Sequence, residues 1–372
     1  MRIAVPLLAF RHAEMGGLEN YVRQVLGGLD ARHRLTIFAT EGQAAHIRDF
    51  APRAHLDLVE DRRAGLSVAP RLDPGAHDVL FCPTAFLDPI DPPLPCAVEL
   101  NDLLHEFMPA GFDEQALAFR RERYPAAAAR ADTVLTPSRF SRKTIIDRYG
   151  VAAERVAISG RDVDVAFRGA PRPEVISRFE LPPRYLHYPA NFWPHKDHVA
   201  ALRALCALDG PHRDVALVLT GAEATGWQDV AGHVGALELD GRVRMLGFLG
   251  HAEVAEVLRG AQALLFPSRF EGFGAPVLEA FHVDTPVVAT TAGAIPEVAG
   301  DAALLVEPGD ADGMARAVGH VLDDLDLARE LAARGRERTG AHDWSAVVAT
   351  VETQLQRLAT SDSRLRPRAA GA

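Results

Sequence analysis

The chain is nearly devoid of lysine. Only Lys143 and Lys196 occur among its 40 basic residues, and the rest are arginine. In a sequence so biased toward arginine, lysine is kept where a compact ammonium serves better than a planar fork, or by chance. Cysteine is scarce too. Cys82, Cys96 and Cys206 are an odd number without metal-ligand spacing, which argues against a disulfide framework or a cysteine zinc site and suits a reduced, cytoplasmic protein. No stretch approaches the roughly 20 apolar residues of a membrane span. The opening "MRIAVPLLAF" is short, contains proline and runs into "RHAEMGG" instead of a small-residue cleavage site, so it reads as a first buried strand and not a leader. A basic excess is also missing: the net charge of −10 argues against a general nucleic-acid binder.

What is present is a soluble composition, 48% hydrophobic and 24% charged, over 372 residues, too long for one ordinary core and suited to two domains. Short apolar runs alternate with helical stretches, the pattern of parallel sheets flanked by helices. Strands are expected at 3–8, 35–38, 79–81, 97–100, 133–136 and 156–159, with helices at 18–29 and 138–149. The pattern restarts with strands at 185–188, 216–220, 243–246, 263–267, 286–290 and 303–306, and helices at 200–208, 251–260, 276–281 and 312–338. The proline- and arginine-rich "FRGAPRPEV" and "ELPPRY" lie between the halves. The expectation is therefore α/β: a doubly wound first domain over 1–167, a linker over 168–183 and a second such domain over 184–341. A helix over 342–360 and a disordered tail over 361–372 complete it. In such folds ligands sit beyond the carboxyl ends of the strands and at domain interfaces, so motifs just after strands carry the functional expectation.

The most informative stretch is "RFEGFGAPVLEAF" (269–281), in which Glu271 and Glu279 lie eight residues apart. On one helix they would stand about 12 Å apart, too far for the roughly 5–9.5 Å of a glycosidase carboxyl pair. No histidine or cysteine joins them at metal spacing. Pro276 suits a first helical turn, which puts Glu271 in the loop and Glu279 in the first turn, where an acid is favoured by the helix dipole. Gly272 and Gly274 allow close approach to main-chain N–H groups, so the stretch suits a sugar phosphate: acids for hydroxyls, amides for phosphate oxygens. "YPANFWPHKDH" (188–198) places Lys196 at a strand end as a phosphate partner, or as a solvated surface lysine. His195 and His198 alone make a poor metal site. "EMGGLENYV" (14–22) sets Gly16 and Gly17 between strand and helix, as a second anion site or as an ordinary tight turn. "ELNDLLHEF" (99–107) puts Asn101, Asp102 and His105 past a strand, where they could position a hydroxyl or cap a turn. Residues 120–148 carry eight basic and three acidic side chains, a local +5. That excess reads either as a solvated helical face or as peripheral contact with anionic lipid or an acidic acceptor.

These segments together resemble the family 4 retaining glycosyltransferases of GT-B fold. "PSRFEGFGAPVLEAF…TPVVATTAGAIPEVAGDAALLVEPGD" carries the family's Glu-x7-Glu spacing, and the likeness extends through "RADTVLTPSRFSRKTI", "MGGLENYV" and "HDWSAVV". The resemblance implies two Rossmann-like domains facing across a cleft, and transfer of a hexose, with a lean to mannose from GDP-mannose. The donor would be a nucleotide diphosphate sugar and the acceptor a hydroxyl on a glycan, lipid-linked sugar or small molecule. It implies that Lys196 binds the diphosphate, that Glu271 and the backbone of Phe273, Gly274 and Ala275 face the sugar and its phosphate, and that Glu279 holds the ribose. Phe248 and Leu249 would border the base, Gly16 and Gly17 would close over the phosphates, and the last helix, from near Trp344, would pack on the first domain. No cofactor or metal is implied. The chain departs from the family where Asn101 replaces a histidine before Asp102 and His105, where Asn191 stands near an expected arginine, and where Asp284 replaces a glycine. Asn101 keeps a rival reading open, a weak nucleotide-sugar-binding subunit. Another is a GT-B epimerase or phosphorylase.

Overall fold

The computed structural model describes residues 1–11, 16–60 and 67–360; the tail expected over 361–372 lies outside them. The chain forms two units that divide between Arg161 and Asp162. The first comprises 1–105, 112–161 and the C-terminal segment from 343, and the second 106–111 and 162–342.

The first unit is built on seven parallel strands: β1 (Arg2–Pro6), β2 (Arg34–Ala39), β3 (His55–Leu58), β4 (Val79–Cys82), β5 (Cys96–Glu99), β6 (Thr133–Thr136) and β7 (Val156–Ile158), in the order β3-β2-β1-β4-β5-β6-β7. The second has six: β8 (Tyr185–Pro189), β9 (Ala216–Thr220), β10 (Val243–Met245), β11 (Ala263–Phe266), β12 (Val287–Thr290) and β13 (Leu304–Val306), in the order β10-β9-β8-β11-β12-β13. Helices cover both faces, so central strands such as β4, β9, β11 and β12 are buried at every position and read as continuous apolar runs. Each fully buried valine or leucine there contributes about 1.5–3 kcal/mol of transfer free energy.

Two expectations about elements are corrected. Edge strand β3, "HLDL", alternates polar and apolar over only four half-exposed residues and so lacks the run that marks its neighbours. The helix expected over 312–338 is two, Ala311–Asp323 and Leu325–Thr339; Asp324 leaves helical geometry and its carboxylate accepts from the N–H groups of Asp326 and Leu327, capping the second.

The last helix, Trp344–Thr360, belongs to the first unit. Its Val347, Val351, Leu355 and Leu358 enter the same core as Val22 and Val25 of helix Gly17–Asp30. Gly28 permits that approach: a Cβ there would sit 2.7 Å from a Val348 methyl. Glu352 fastens the pair, 2.7 Å from Arg32 and 2.8 Å from His33.

Candidate active site

In the second unit the strand order reverses between β8 and β11, which are direct neighbours. The loops leaving their carboxyl ends therefore run side by side, where doubly wound sheets bind ligands. The β8 loop closes with the short turn Pro194–Lys196, its φ preset by proline. Asp197 (φ 50°) follows and accepts from Ala200 N–H at 3.3 Å, capping helix His198–Ala207. Lys196 is thus held between a rigid turn and a capped helix. Its Nζ lies 2.7 Å from Glu271 Oε1 in the β11 loop.

Three sets of contacts tie the β11 loop to the chain after β8 and after β12. The buried Tyr188 hydroxyl donates to the Lys196 carbonyl at 2.7 Å and lies 3.2 Å from the Ser268 hydroxyl. The Arg269 N–H donates to the His195 carbonyl at 2.8 Å. The Glu271 carbonyl accepts from Ala294 N–H at 2.9 Å. Gly293 (φ +60°) lies so close behind Glu271 that a Cβ would be 2.2 Å from its carbonyl oxygen. Only 8% of Glu271 is exposed. The ion pair is preformed, largely desolvated and fixed from behind.

Helix Ala275–His282 starts at Gly274 (φ 91°) with Pro276 in its first turn. Gly274 and Ala275 stand where backbone amides lack intrahelical acceptors, beside Phe273, whose ring lies 5.7 Å from that of His342. Glu279 sits in the second turn, not the first as expected, so the helix dipole does not explain it. Burial pushes its carboxyl up to about 7, while His251 and Lys196 pull it down and Asp164 pushes it up. Asp164 and His251 themselves pair at 3.1 Å.

The raised pKa has a consequence for stability. Between about pH 4.5 and 7 folded Glu279 holds a proton that the unfolded chain has released, so its contribution falls as pH rises through that window. Glu279→Gln is therefore expected to melt at a higher temperature than wild type at pH 8, with the gap closing as pH falls below 5. A lower melting temperature at pH 8 would refute the assignment.

The remaining residues fall as follows. Asn191 Oδ1 accepts from Ala222 N–H at 2.8 Å, tying the β8 loop to the chain after β9. Phe248 is 61% exposed and Leu249 buried. Burial holds His195 and His198 near pKa 3, assisted by the Lys196 charge, so both imidazoles are neutral at pH 7. No group of three or more potential metal-ligating side chains occurs among the described residues. Asp284 adopts φ +59°, a backbone its short polar side chain tolerates, and pairs with Arg336.

In the first unit Gly16 (φ 54°) precedes helix Gly17–Asp30, with open space where a Cβ would project from either glycine. Asp102 accepts from Leu104 N–H at 2.9 Å, holding the turn into helix Leu104–Phe107. His105 is 1% exposed, its Nε2 3.1 Å from the Tyr149 hydroxyl and its ring 4.7 Å from that of Tyr124. Asn101, partly exposed, accepts a hydrogen bond from Arg161.

Tyr188, Gly293, Asp164, His251 and Arg161 were not anticipated. Gly293 had a signal, a glycine between strand and helix in "TTAGAIPE". Tyr188 opens "YPANFWPHKDH", but its contact with Ser268 spans 80 residues; Asp164, His251 and Arg161 had no signal, because their partners lie far away in sequence.

Residues 174–338 match the family described as glycosyl transferases group 1, and residues 15–167 match glycosyltransferase family 4. An O-antigen chain mannosyltransferase B of Escherichia coli is 30% identical over 224 residues, 58% of each chain. A phosphatidyl-myo-inositol mannosyltransferase of Mycolicibacterium smegmatis is 35% identical over 162 residues, 42% of this chain and 41% of that one. The chain thus spans less than two thirds of the length of these curated relatives. The solved structure of Anabaena HepE in complex with UDP-glucose is similar in fold, with a TM-score of 0.77 at 18% identity, covering 96% of this chain and all of that one.

Proposed function

This chain belongs to the family 4, group 1 glycosyltransferases, and from that premise we propose that it moves a hexose from a nucleotide diphosphate sugar to a hydroxyl acceptor with retention. The observation that carries this is the Lys196–Glu271 pair, set at the reversal of the strand order beside the start of helix Ala275–His282. An ammonium and free amides there neutralise a departing diphosphate, while carboxylates take sugar and ribose hydroxyls. Glu271 serves the sugar and Glu279 the ribose, with Phe273, Gly274 and Ala275 lending backbone to the phosphate. Phe248 and Leu249 border the base, and in the first unit the Gly16–Gly17 turn offers amides of its own to an anion. Asn191 shapes the loop that carries Lys196, and Asp102 and His105 order the turn after Asn101.

Retention proceeds by attack on the face the diphosphate leaves, the leaving phosphate oxygen accepting the acceptor's proton. The sugar we favour is mannose from GDP-mannose, supported by the names of several relatives. A thermal-shift and turnover screen of GDP-, UDP-, ADP- and TDP-sugars tests the reading; it fails if none is bound or consumed. Donor KM is expected to fall as pH rises through about 7, as Glu279 ionises to accept ribose hydroxyls.

The charge compensation comes from the protein, so full activity is expected in excess EDTA. Loss of activity restored by a divalent cation would overturn that claim.

No described helix is long and apolar enough to cross a membrane. Within 120–148, Arg130 pairs with Asp91, Lys143 with Asp147, and Arg142 donates to the carbonyls of Ala153 and Val156. The chain's own contacts thus occupy much of the basic excess. Peripheral contact of a cytoplasmic enzyme with an anionic membrane rests on Arg120, Arg121 and Arg123 beside the exposed Phe119 of helix Glu114–Arg130.

A further inference from the structure

We propose that Tyr188 is a positioning residue for Lys196: its hydroxyl fixes the peptide that carries the lysine, and so sets where the ammonium meets a departing diphosphate. This deepens the glycosyltransfer reading and rests on it. Every residue concerned lies in the second unit.

The need for such a residue follows from the strand order. Ladder hydrogen bonds hold β8, β11 and β12 side by side. The strands end at Pro189, Phe266 and Thr290, yet Lys196 and Glu271 must meet across the loops beyond them. Buried hydroxyls take over there. The Thr290 hydroxyl donates to the Ser268 carbonyl at 2.5 Å, and the Ser268 hydroxyl lies 3.2 Å from that of Tyr188. Tyr188 gives its one hydroxyl proton to the Lys196 carbonyl at 2.7 Å, so it accepts from Ser268. A chain of side-chain hydroxyls thus runs from β12 through the β11 loop to the peptide of Lys196.

Tyr188 is suited to hold that point. It is fully buried, its ring 4.6 Å from that of His198 and 5.8 Å from that of Phe266. Burial raises the phenol well above its ordinary pKa, and the charges of Glu271 and Asp197 push it the same way, against the hydrogen bond from Ser268. The proton it donates is therefore kept at any working pH.

Three bonds fix the backbone around Lys196. Its N–H donates to the Trp193 carbonyl at 2.9 Å, the His195 carbonyl accepts from Arg269 N–H at 2.8 Å, and its own carbonyl accepts from Tyr188. Of the three, only the last is made by a side chain, so it alone can be removed by substitution. With its root anchored, the four-carbon stem reaches Glu271 with Nζ 5.8 Å from the centre of the Phe266 ring. Anchoring the root narrows the positions open to an otherwise flexible ammonium.

Tyr188→Phe keeps the ring and deletes the hydroxyl. Tyr185→Phe is the control: Tyr185 is buried at the other end of β8, and its hydroxyl donates to the Val257 carbonyl at 2.8 Å. Each variant loses one buried hydrogen bond and should melt at a somewhat lower temperature. Only Tyr188→Phe should lower kcat/KM for the donor, about tenfold, and in a Lys196→Ala background it should cost nothing more. A second measurement needs no ligand. The chain has only two lysines, so brief treatment with acetic anhydride followed by mass spectrometry compares Lys196 directly with the exposed Lys143. Tyr188→Phe should raise the ratio of Lys196 to Lys143 acetylation about threefold or more, because the ammonium leaves Glu271 more often, and Tyr185→Phe should leave it unchanged. An unchanged ratio in Tyr188→Phe, losses that multiply with Lys196→Ala, or an equal loss of kcat/KM in Tyr185→Phe would overturn the proposal. If the wild type binds and consumes no nucleotide sugar, the glycosyltransfer reading falls, and the acetylation ratio by itself decides whether Tyr188 positions Lys196.

Discussion

Replacing Lys196 with alanine is expected to lower kcat by about 10²–10³, the usual consequence of removing one donor to a developing anion. Two effects act together. On the proposed reading the departing diphosphate loses its ammonium, and Glu271, its partner at 2.7 Å and only 8% exposed, is left as an unpaired carboxylate. That carboxylate then repels the phosphate the lysine attracted. Lys196→Arg should recover little, since a planar fork does not fit the place of a point charge held by the Pro194–Lys196 turn. Donor KM should rise as well, because the ground-state diphosphate uses the same contact. Steady-state kinetics with the donor chosen by the screen are the measurement; near-normal kcat in Lys196→Ala would remove the lysine from the mechanism.

Gly293→Ala is expected to be almost as damaging, although Gly293 carries no functional group. Its φ of +60° disfavours any side chain, and a Cβ would lie 2.2 Å from the Glu271 carbonyl oxygen and 2.8 Å from its nitrogen. Backbone atoms cannot swing aside as a flexible side chain can, so the β11 loop must move. The backbone strain costs about 1–3 kcal/mol. A shift of Glu271 by an ångström should reduce kcat/KM about 10²-fold, the scale of effect that misplacing a reacting group produces. Circular dichroism and melting should show a folded, somewhat less stable protein. A variant with wild-type kcat/KM would mean that the Glu271 loop tolerates displacement and that its geometry is not critical.

Much of the architecture was legible because the strands of a two-sided parallel sheet are buried on both faces and so appear as unbroken apolar runs. β4, β9, β11 and β12 announce themselves that way. β3 escaped notice because an edge strand with half-exposed residues has no such run. The break at Asp324 was missed because apolar spacing continues across it, while the cap that divides the helices is a side-chain bond to two amides.

The site divides in the same way. The sequence by itself determined the family, the two-sheet plan and the places of Lys196 and Glu271 in the loops after apolar runs, because those features are local, whereas it set Glu279 one turn too early in its helix. Tertiary structure alone decided that Lys196 pairs with a glutamate 75 residues away, since that requires β8 to lie against β11. It also decided that Gly293 backs Glu271, that burial carries Glu279 to a pKa of about 7, and that Arg161 holds Asn101 by its oxygen. Each of these depends on which strands are neighbours and how far water is excluded between them, and neither is a property of any short stretch of chain.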